Sequence, residues 1–368
     1  MLINELYLDG YRNYYDTTAT FCDNVNVING SNAQGKTNLV EAINYLATGR
    51  SFRSATDKEL ITFDREAACI RASIISAERE QKLEARIFHG HRRQLFANDV
   101  KLKKTTELTG RLTTVLFCPD DLTLIKDGAA VRRKLMDSCL SQLRPGYLAA
   151  LTEFNKLYDH KTRILKDHYE KPALLELLDD FNHRLAQQSA KLIYYRSAFS
   201  AGLTERAAKI HKEFSDGNEN LIIKYKTVGR MDPSGKSPQE LLPDLLEHQR
   251  LHKQAELKSR SCLSGAHKDD LEIEINDMPA RKFASQGQAR TAAVSMKLAE
   301  RDIHYDDRNE YPVLLLDDVL SELDSKRQSF ILGRIKHGQV FITCCDDTPA
   351  LNYLSGKILK IENGRIVS

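Results

Sequence analysis

The run Gly30-Ser31-Asn32-Ala33-Gln34-Gly35-Lys36-Thr37 constrains this chain more than any other feature, because it matches G-x-x-x-x-G-K-[ST] without substitution. Its flanks carry the argument further. Residues 25–28 form an apolar run that reads as a short buried strand, and Leu39, Val40, Ile43 and Leu46 then fall on one helical stripe. A glycine-rich turn between strand and helix aims backbone N–H groups and a helix N-terminus at a phosphate chain. Gly30, Ser31, Asn32, Ala33, Gln34, Gly35 and Asn38 are therefore expected to line an ATP site. Lys36 is expected to reach the β- and γ-phosphates and serve catalysis, and Thr37 to place its hydroxyl on Mg²⁺. Such a turn can also be no more than a turn; the strand and helix around it favour the nucleotide.

A phosphate loop needs a carboxylate at the end of a buried strand to address the metal. Residues 313–316 supply four apolar positions for a parallel strand, and Asp317 and Asp318 follow at its carboxyl end. Asp317 is expected to bind Mg²⁺. Asp318 is expected to sit near the γ-phosphate and orient or deprotonate the attacking water. A strand followed by a polar turn is the plainer alternative. Lys36 and Asp317 lie 281 positions apart, so the two ends of the chain must converge around what lies between.

The texture of the sequence changes along its 368 residues, which leave room for two or three domains. Short alternating runs at 67–75, 82–88 and 93–100 predict strands. From about 128 to 215, leucines at helical spacing dominate, with Pro145-Gly146 breaking that stretch between two helices. A strand is expected at 221–228, helix at 238–260, strand at 271–275 and helix at about 287–305. Glu362-Asn363-Gly364 predicts a closing hairpin. No sustained heptad marks an extended coiled coil.

This split arrangement resembles the ATP-binding-cassette heads of chromosome-maintenance and DNA-repair ATPases. Ala284-Ser285-Gln286-Gly287-Gln288 resembles the cassette signature L-S-G-G-Q, with Ala284 for the leucine and Gln286 for the first glycine. On its own it is a capped helix start. Ser321-Glu322-Leu323-Asp324 resembles the family's S-x-L-D segment at the dimer interface. Tyr11-Arg12-Asn13-Tyr14, Thr48-Gly49-Arg50-Ser51-Phe52-Arg53, Arg132-Arg133 and Gly265-Ala266-His267-Lys268-Asp269-Asp270 also match, in order, segments of the RecF family of bacterial recombination mediators. The resemblance implies an α/β fold: an ABC-type P-loop ATPase head from residues 1–140 and 256–368, with an inserted helix-rich arm at 141–255. It implies an ATP-driven homodimer in which Ser285, Gly287 and Gln288 of one copy complete the ATP site of the other, and it adds Arg12 to the nucleotide contacts. It further implies slow, DNA-dependent ATP hydrolysis and binding to gapped, duplex and single-stranded DNA. The implied partners are RecR with RecO and, indirectly, RecA, in replication restart and SOS induction. The switch histidine common in cassettes is missing from Phe341-Ile342-Thr343-Cys344-Cys345-Asp346. The Q-loop is placed only loosely, near residues 119–121, and His267 is expected to contact nucleotide or cap a loop.

Composition permits this without demanding it. The net charge is +3 and the pI about 8.3, below the value above roughly 9 typical of a dedicated nucleic-acid-binding domain. Basic clusters recur at 92–93, 101–104, 132–134 and 161–166, each of which can equally be a solvated face. Seven scattered cysteines without C-x-x-C argue against zinc and a disulfide framework. No secretory signal and no membrane span are expected, which places the chain in the cytoplasm. Two other classes compete. A transporter-type cassette would lack so long a helical insert, and a small-molecule phosphotransferase would leave residues 285–288 without a role. A nuclease would need an additional acidic metal cluster, for which Asp269-Asp270 is the only candidate, and solvated loop acids or support of the nucleotide site are the favoured readings of that pair.

Overall fold

Alternating apolar positions build antiparallel strands early in the chain, and uninterrupted apolar runs build buried parallel ones later. The structure is a computed structural model and describes residues 1–229, 231–345 and 356–367. Two units emerge: Met1–Thr123 with Arg290–Ser368, and Leu124–Ala289. The first begins with β1 (Leu2–Asp9), β2 (Thr17–Thr20), β3 (Val25–Asn29), α1 (Lys36–Thr48), β4 (Ala67–Ser76), β5 (Arg79–Phe88), β6 (Gln94–Ala97), β7 (Val100–Lys101) and β8 (Thr114–Phe117). The second contains α2 (Ala129–Leu143), α3 (Pro145–Asp167), α4 (Leu178–Phe214), β9 (Leu221–Lys226), α5 (Pro238–Ser259), β10 (Asp270–Ile275), β11 (Met278–Pro279) and α6 (Ala280–Phe283). Helix α7 (Gln286–Arg308) spans the boundary in sequence. The first unit then resumes with β12 (Val313–Leu316), α8 (Ser325–Arg334), β13 (Val340–Cys344), β14 (Gly356–Glu362) and β15 (Arg365–Ile366).

The first unit holds two six-stranded sheets, ordered β2-β1-β4-β5-β6-β7 and β15-β14-β3-β13-β12-β8. The former is antiparallel throughout. In the latter, β14, β3, β13, β12 and β8 run parallel, so their carboxyl ends share one edge. Helix α1 is buried along almost its whole length. Its Leu39, Val40, Ile43 and Leu46 join one core with Leu6, Ile70 and Leu83 of the antiparallel sheet and Ile28, Leu315 and Phe341 of the parallel one. Each such aliphatic side chain contributes about 2 kcal/mol on burial. The strand expected over 93–100 stops at Ala97, because Asn98 and Asp99 take φ of 50° and 62° and turn the chain into β7.

In the second unit, α3 and α5 pack on α4, whose Leu178, Leu185 and Leu192 are buried at seven-residue spacing. Pro145 occupies the first turn of α3, where its missing N–H costs nothing. Arg196 anchors the interior. It donates to Asp269 at 2.6 Å, Asp137 at 2.8 Å and the Tyr147 hydroxyl at 2.9 Å. Tyr225 and Thr227 also donate to Asp269, at 2.6 and 2.7 Å. Asp269 is thus a neutralised internal acid, and Asp270 is held by both forks of Arg132 at 2.6 and 2.9 Å.

The bounds of these units differ from the expected 140/141 and 255/256. Residues 124–140 and 256–289 pack within the second unit. The Arg132–Asp270 pair joins α2 to β10, and β10 pairs along its length with β9. These are contacts between distant segments, invisible to local composition. Among the described residues no helix is long and apolar enough to cross a membrane.

Candidate nucleotide site

The phosphate loop sits where β3 ends and α1 begins, on the edge where β12 and β13 also end. Gly35 caps α1 with φ 117° and no side-chain cap bond, which leaves first-turn amides open to an anion. A Cβ at Gly35 would meet the Asn13 side chain at 2.8 Å and the Tyr14 hydroxyl at 3.1 Å, so glycine is required there. Ser31, Asn32 and Ala33 stand exposed at the rim. Lys36 is buried and its ammonium donates to the Gly30 and Ser31 carbonyls at 2.5 and 3.0 Å.

Chain segments far away in sequence brace this loop. The Tyr14 hydroxyl donates to the Gly35 carbonyl at 2.9 Å, and the Asn13 amide donates to the Gln34 carbonyl at 2.9 Å. The closing hairpin contributes the Asn363 and Gly364 amides, which donate to the Gln34 side chain and carbonyl at 2.6 and 2.9 Å. Asn38 donates to Asn13 at 2.9 Å and accepts from Arg53 at 2.9 Å. The rim Asn32 side chain accepts from the Cys345 thiol at 3.0 Å.

Opposite the lysine, Thr37 Oγ1 donates to Asp317 Oδ1 at 3.0 Å. The Thr343 hydroxyl lies 3.1 Å from both Asp317 Oδ1 and Asp318 Oδ1, and its oxygen accepts the Asp318 N–H at 2.7 Å. Asp317 is almost fully buried. Burial, then the neighbouring Asp318 charge, pushes its carboxyl up to about 6, against the hydrogen bonds from Thr37 and Thr343. Asp318 takes φ 51°, which turns its carboxylate out of the strand direction and leaves it half-buried. Thr37 and Asp317 are hard oxygen donors in contact with each other, the chemistry that Mg²⁺ takes. These two residues would hold the ion, which when bound would offset phosphate charge.

The family described as "RecF/RecN/SMC N terminal domain" matches residues 2–359. This chain belongs to that family. The DNA replication and repair protein RecF of Acetivibrio thermocellus is 38% identical over 368 residues, covering 99% of each chain. RecF of Clostridium perfringens is 36% identical over 369 residues, covering all of this chain and 99% of the relative. A solved structure described as the recombination mediator protein RecF-ATPrS in the RecFOR pathway superposes with a TM-score of 0.92 at 35% identity, over 99% of this chain and 97% of that one. Its RecF-ATP counterpart gives 0.87 at 36%, over 99% and 96%. An Smc head domain from Pyrococcus furiosus shares the fold, with a TM-score of 0.58 at 16% identity over 99% of this chain and 94% of that one. The architecture is that of an ABC-type ATPase head with a helix-rich arm inserted in its sequence.

Other expected site residues have partners of their own. Arg12 grips both oxygens of buried Glu41 in α1 at 2.9 Å and also donates to the Ser54 hydroxyl and Glu59 carbonyl, so none of its hydrogen bonds reaches residues 30–38. Ser285 caps α7: its hydroxyl accepts the Gln288 N–H at 3.1 Å, and Gln288 Oε1 accepts the Ser285 N–H at 2.9 Å. Gly287 follows in the first turn. Residues 119–121 form a short turn of 3₁₀ helix after β8, with Asp121 capping the Cys118 amide. Of the segment expected to carry a switch residue, Phe341 to Cys345 are seen and Asp346 lies outside the described residues. Thr343, Asn13 and Arg53 stand in the site without having been assigned roles from sequence. Each lay in a segment noted for another reason; the β13 pairing reveals the contact of Thr343, and long-range side-chain hydrogen bonds reveal those of Asn13 and Arg53.

His267 belongs to the second unit, where its Nε2 lies 3.0 Å from the Cys262 carbonyl and its ring packs on Tyr158. The loop-capping alternative holds here. Burial, with Lys268, Lys161 and Arg133 nearby, pulls its pKa down to about 4 from the ordinary 6.5. The unfolded chain therefore takes up a proton as pH falls through 6.5 while the folded chain does not. Stability is full above that value and declines between pH 6.5 and 4, by up to about 3 kcal/mol. Urea unfolding of the full chain at pH 7.5 and 5 should show the loss, and His267→Gln should reduce it by about 2 kcal/mol, leaving the share of buried His304, whose pKa is likewise pulled down to about 3. An unchanged slope in that variant would refute the assignment.

Proposed function

We propose that this chain is an ATP-dependent DNA-binding recombination mediator whose heads dimerise on ATP and release on slow hydrolysis. What carries the reading is the meeting of Lys36, Thr37, Asp317, Thr343 and Asp318 at one sheet edge, within a chain related over its full length to RecF proteins. The relatives' description as DNA replication and repair proteins, and of two structural neighbours as mediators in the RecFOR pathway, supports the biological role. RecR with RecO, and RecA downstream, are the proposed partners, in the cytoplasm.

In this mechanism, the loop amides of residues 31–37 and the Lys36 ammonium bind and orient the phosphates. Thr37 and Asp317 hold Mg²⁺. Asp318, fixed by Thr343, accepts a hydrogen bond from the attacking water and takes its proton. Arg12, held on α1 by Glu41, adds its guanidinium to the nucleotide contacts. Ser285, Gly287 and Gln288 of a second copy meet the γ-phosphate, so ATP favours the dimer by mass action and its cleavage loosens it. Lysines and arginines then hold DNA through its phosphates, largely without regard to sequence.

Residue 285 tests the shared site. Ser285→Arg removes the cap, at a cost of about 1 kcal/mol, and blocks the partner's phosphate. Ser285→Asp keeps the cap and sets like charge against that phosphate. Both variants should bind ATP as monomers yet fail to dimerise in sedimentation with Mg·ATP. Normal dimerisation by Ser285→Asp would refute the contribution from the second copy.

A further inference from the structure

A basic cavity lies in the first unit. The turns after β5 and β7 and the 3₁₀ stretch Asp57–Leu60 enclose a cavity of about 610 Å³. That size falls in the ~300–1,000 Å³ range of sites that enclose small ligands. Its lining includes five lysine and arginine residues against one carboxylate, Asp57, and that carboxylate is already paired with Arg93 at 2.8 Å. Lys58, Arg92, Lys103 and Lys104 are exposed, and among the described residues none has a carboxylate in ion-pair range. Four uncompensated cations around one cavity create a potential that an anion would relieve.

The floor is apolar. Ile87 and Leu95 are buried, and Leu102 and Phe88 are half-buried at the wall. A bare phosphate has no use for such a floor; a nucleotide has, because its base offers an apolar face and its phosphate a charge. The cavity is too small for a duplex and large enough for one nucleotide. Arg93 makes it rigid, donating to the Gly49 carbonyl at 2.6 Å, the Tyr45 hydroxyl at 3.1 Å and the Thr105 hydroxyl at 2.9 Å. Gly49 and Tyr45 form the C-terminal end of α1, so the cavity wall is fixed to the helix that begins at Lys36.

We infer that this cavity binds one unpaired nucleotide of a DNA strand, phosphate among the lysines and base on the apolar floor. The inference rests on the DNA-binding reading above and names a site for it. Free nucleotides share the chemistry, and the test separates the two sources.

The full chain is assayed with Mg·ATP by fluorescence anisotropy on labelled oligo-dT and on a blunt duplex of equal length. The variants are Lys103→Glu/Lys104→Glu, which reverses charge, and Leu102→Trp, which fills the cavity without changing charge. Both should bind oligo-dT at least ~10-fold more weakly and the duplex within about twofold of wild type, with ATP-driven dimerisation unchanged. Millimolar dTMP displacing the oligonucleotide would show that free nucleotide enters the same site; no displacement would restrict it to strand-linked nucleotides. Inorganic phosphate displacing as well as dTMP would overturn the role of the floor. Equal loss of duplex binding, or wild-type oligo-dT binding by Leu102→Trp with its unfolding midpoint unchanged, would overturn the inference. A wild-type protein that dimerises but binds no DNA would instead defeat the reading beneath it.

Discussion

Lys36→Met is expected to weaken ATP binding about 100-fold or more and to abolish ATP-driven dimerisation and DNA binding with it. The Lys36 side chain is buried, and its ammonium already lies among the loop carbonyls of Gly30 and Ser31. Methionine keeps the length and apolar stem while deleting the charge. Charged hydrogen bonds contribute about 1.5–3 kcal/mol each, and two of them to phosphate oxygens account for a hundredfold change in Kd. Titration calorimetry with ATP measures the loss, and an unaltered unfolding midpoint shows that the loop still folds. Unchanged ATP affinity would contradict the phosphate-loop assignment.

Asp318→Asn should leave ATP binding intact and slow hydrolysis by about 10²–10⁴-fold, the range in which a positioned base acts. The substitution is well matched to its place. Asparagine tolerates the φ of 51° at this position, and its amide oxygen can still accept from Thr343. Only proton acceptance is lost. The ATP dimer should therefore persist for long periods in sedimentation with Mg·ATP, while wild type decays. Hydrolysis at the original rate would remove Asp318 from the chemistry.

Local chemistry made part of this site legible. The loop at 30–37 and the acids at 317–318 follow from glycine spacing, an apolar run and a helical stripe, each contained in a dozen residues. Convergence of the two ends followed from their separation in sequence. Other parts depend on who pairs with whom. Thr343 becomes a bridge between two aspartates only because β13 lies between β3 and β12. Arg12 reads as a nucleotide contact by motif, and its pairing with buried Glu41 in α1 could not be read from sequence. Residues 124–140 and 256–289 pack together through Arg132–Asp270 and the β9–β10 ladder, which no composition shift announces. The Ser285–Gln288 segment shows a helix cap, and the hydroxyl that makes it is the one proposed to meet phosphate across a dimer.

The position of β3 has a consequence for how this protein is made. Its neighbours on either side, β13 and β14, and the amides of Asn363 and Gly364 that steady its loop, all come from the last thirty residues of the chain. A ribosome delivers β3 well before these partners, with both units' intervening segments made in between. Until β13 and β14 emerge, then, the strand feeding the phosphate loop waits unpaired, and a nascent chain cannot bind ATP before they do.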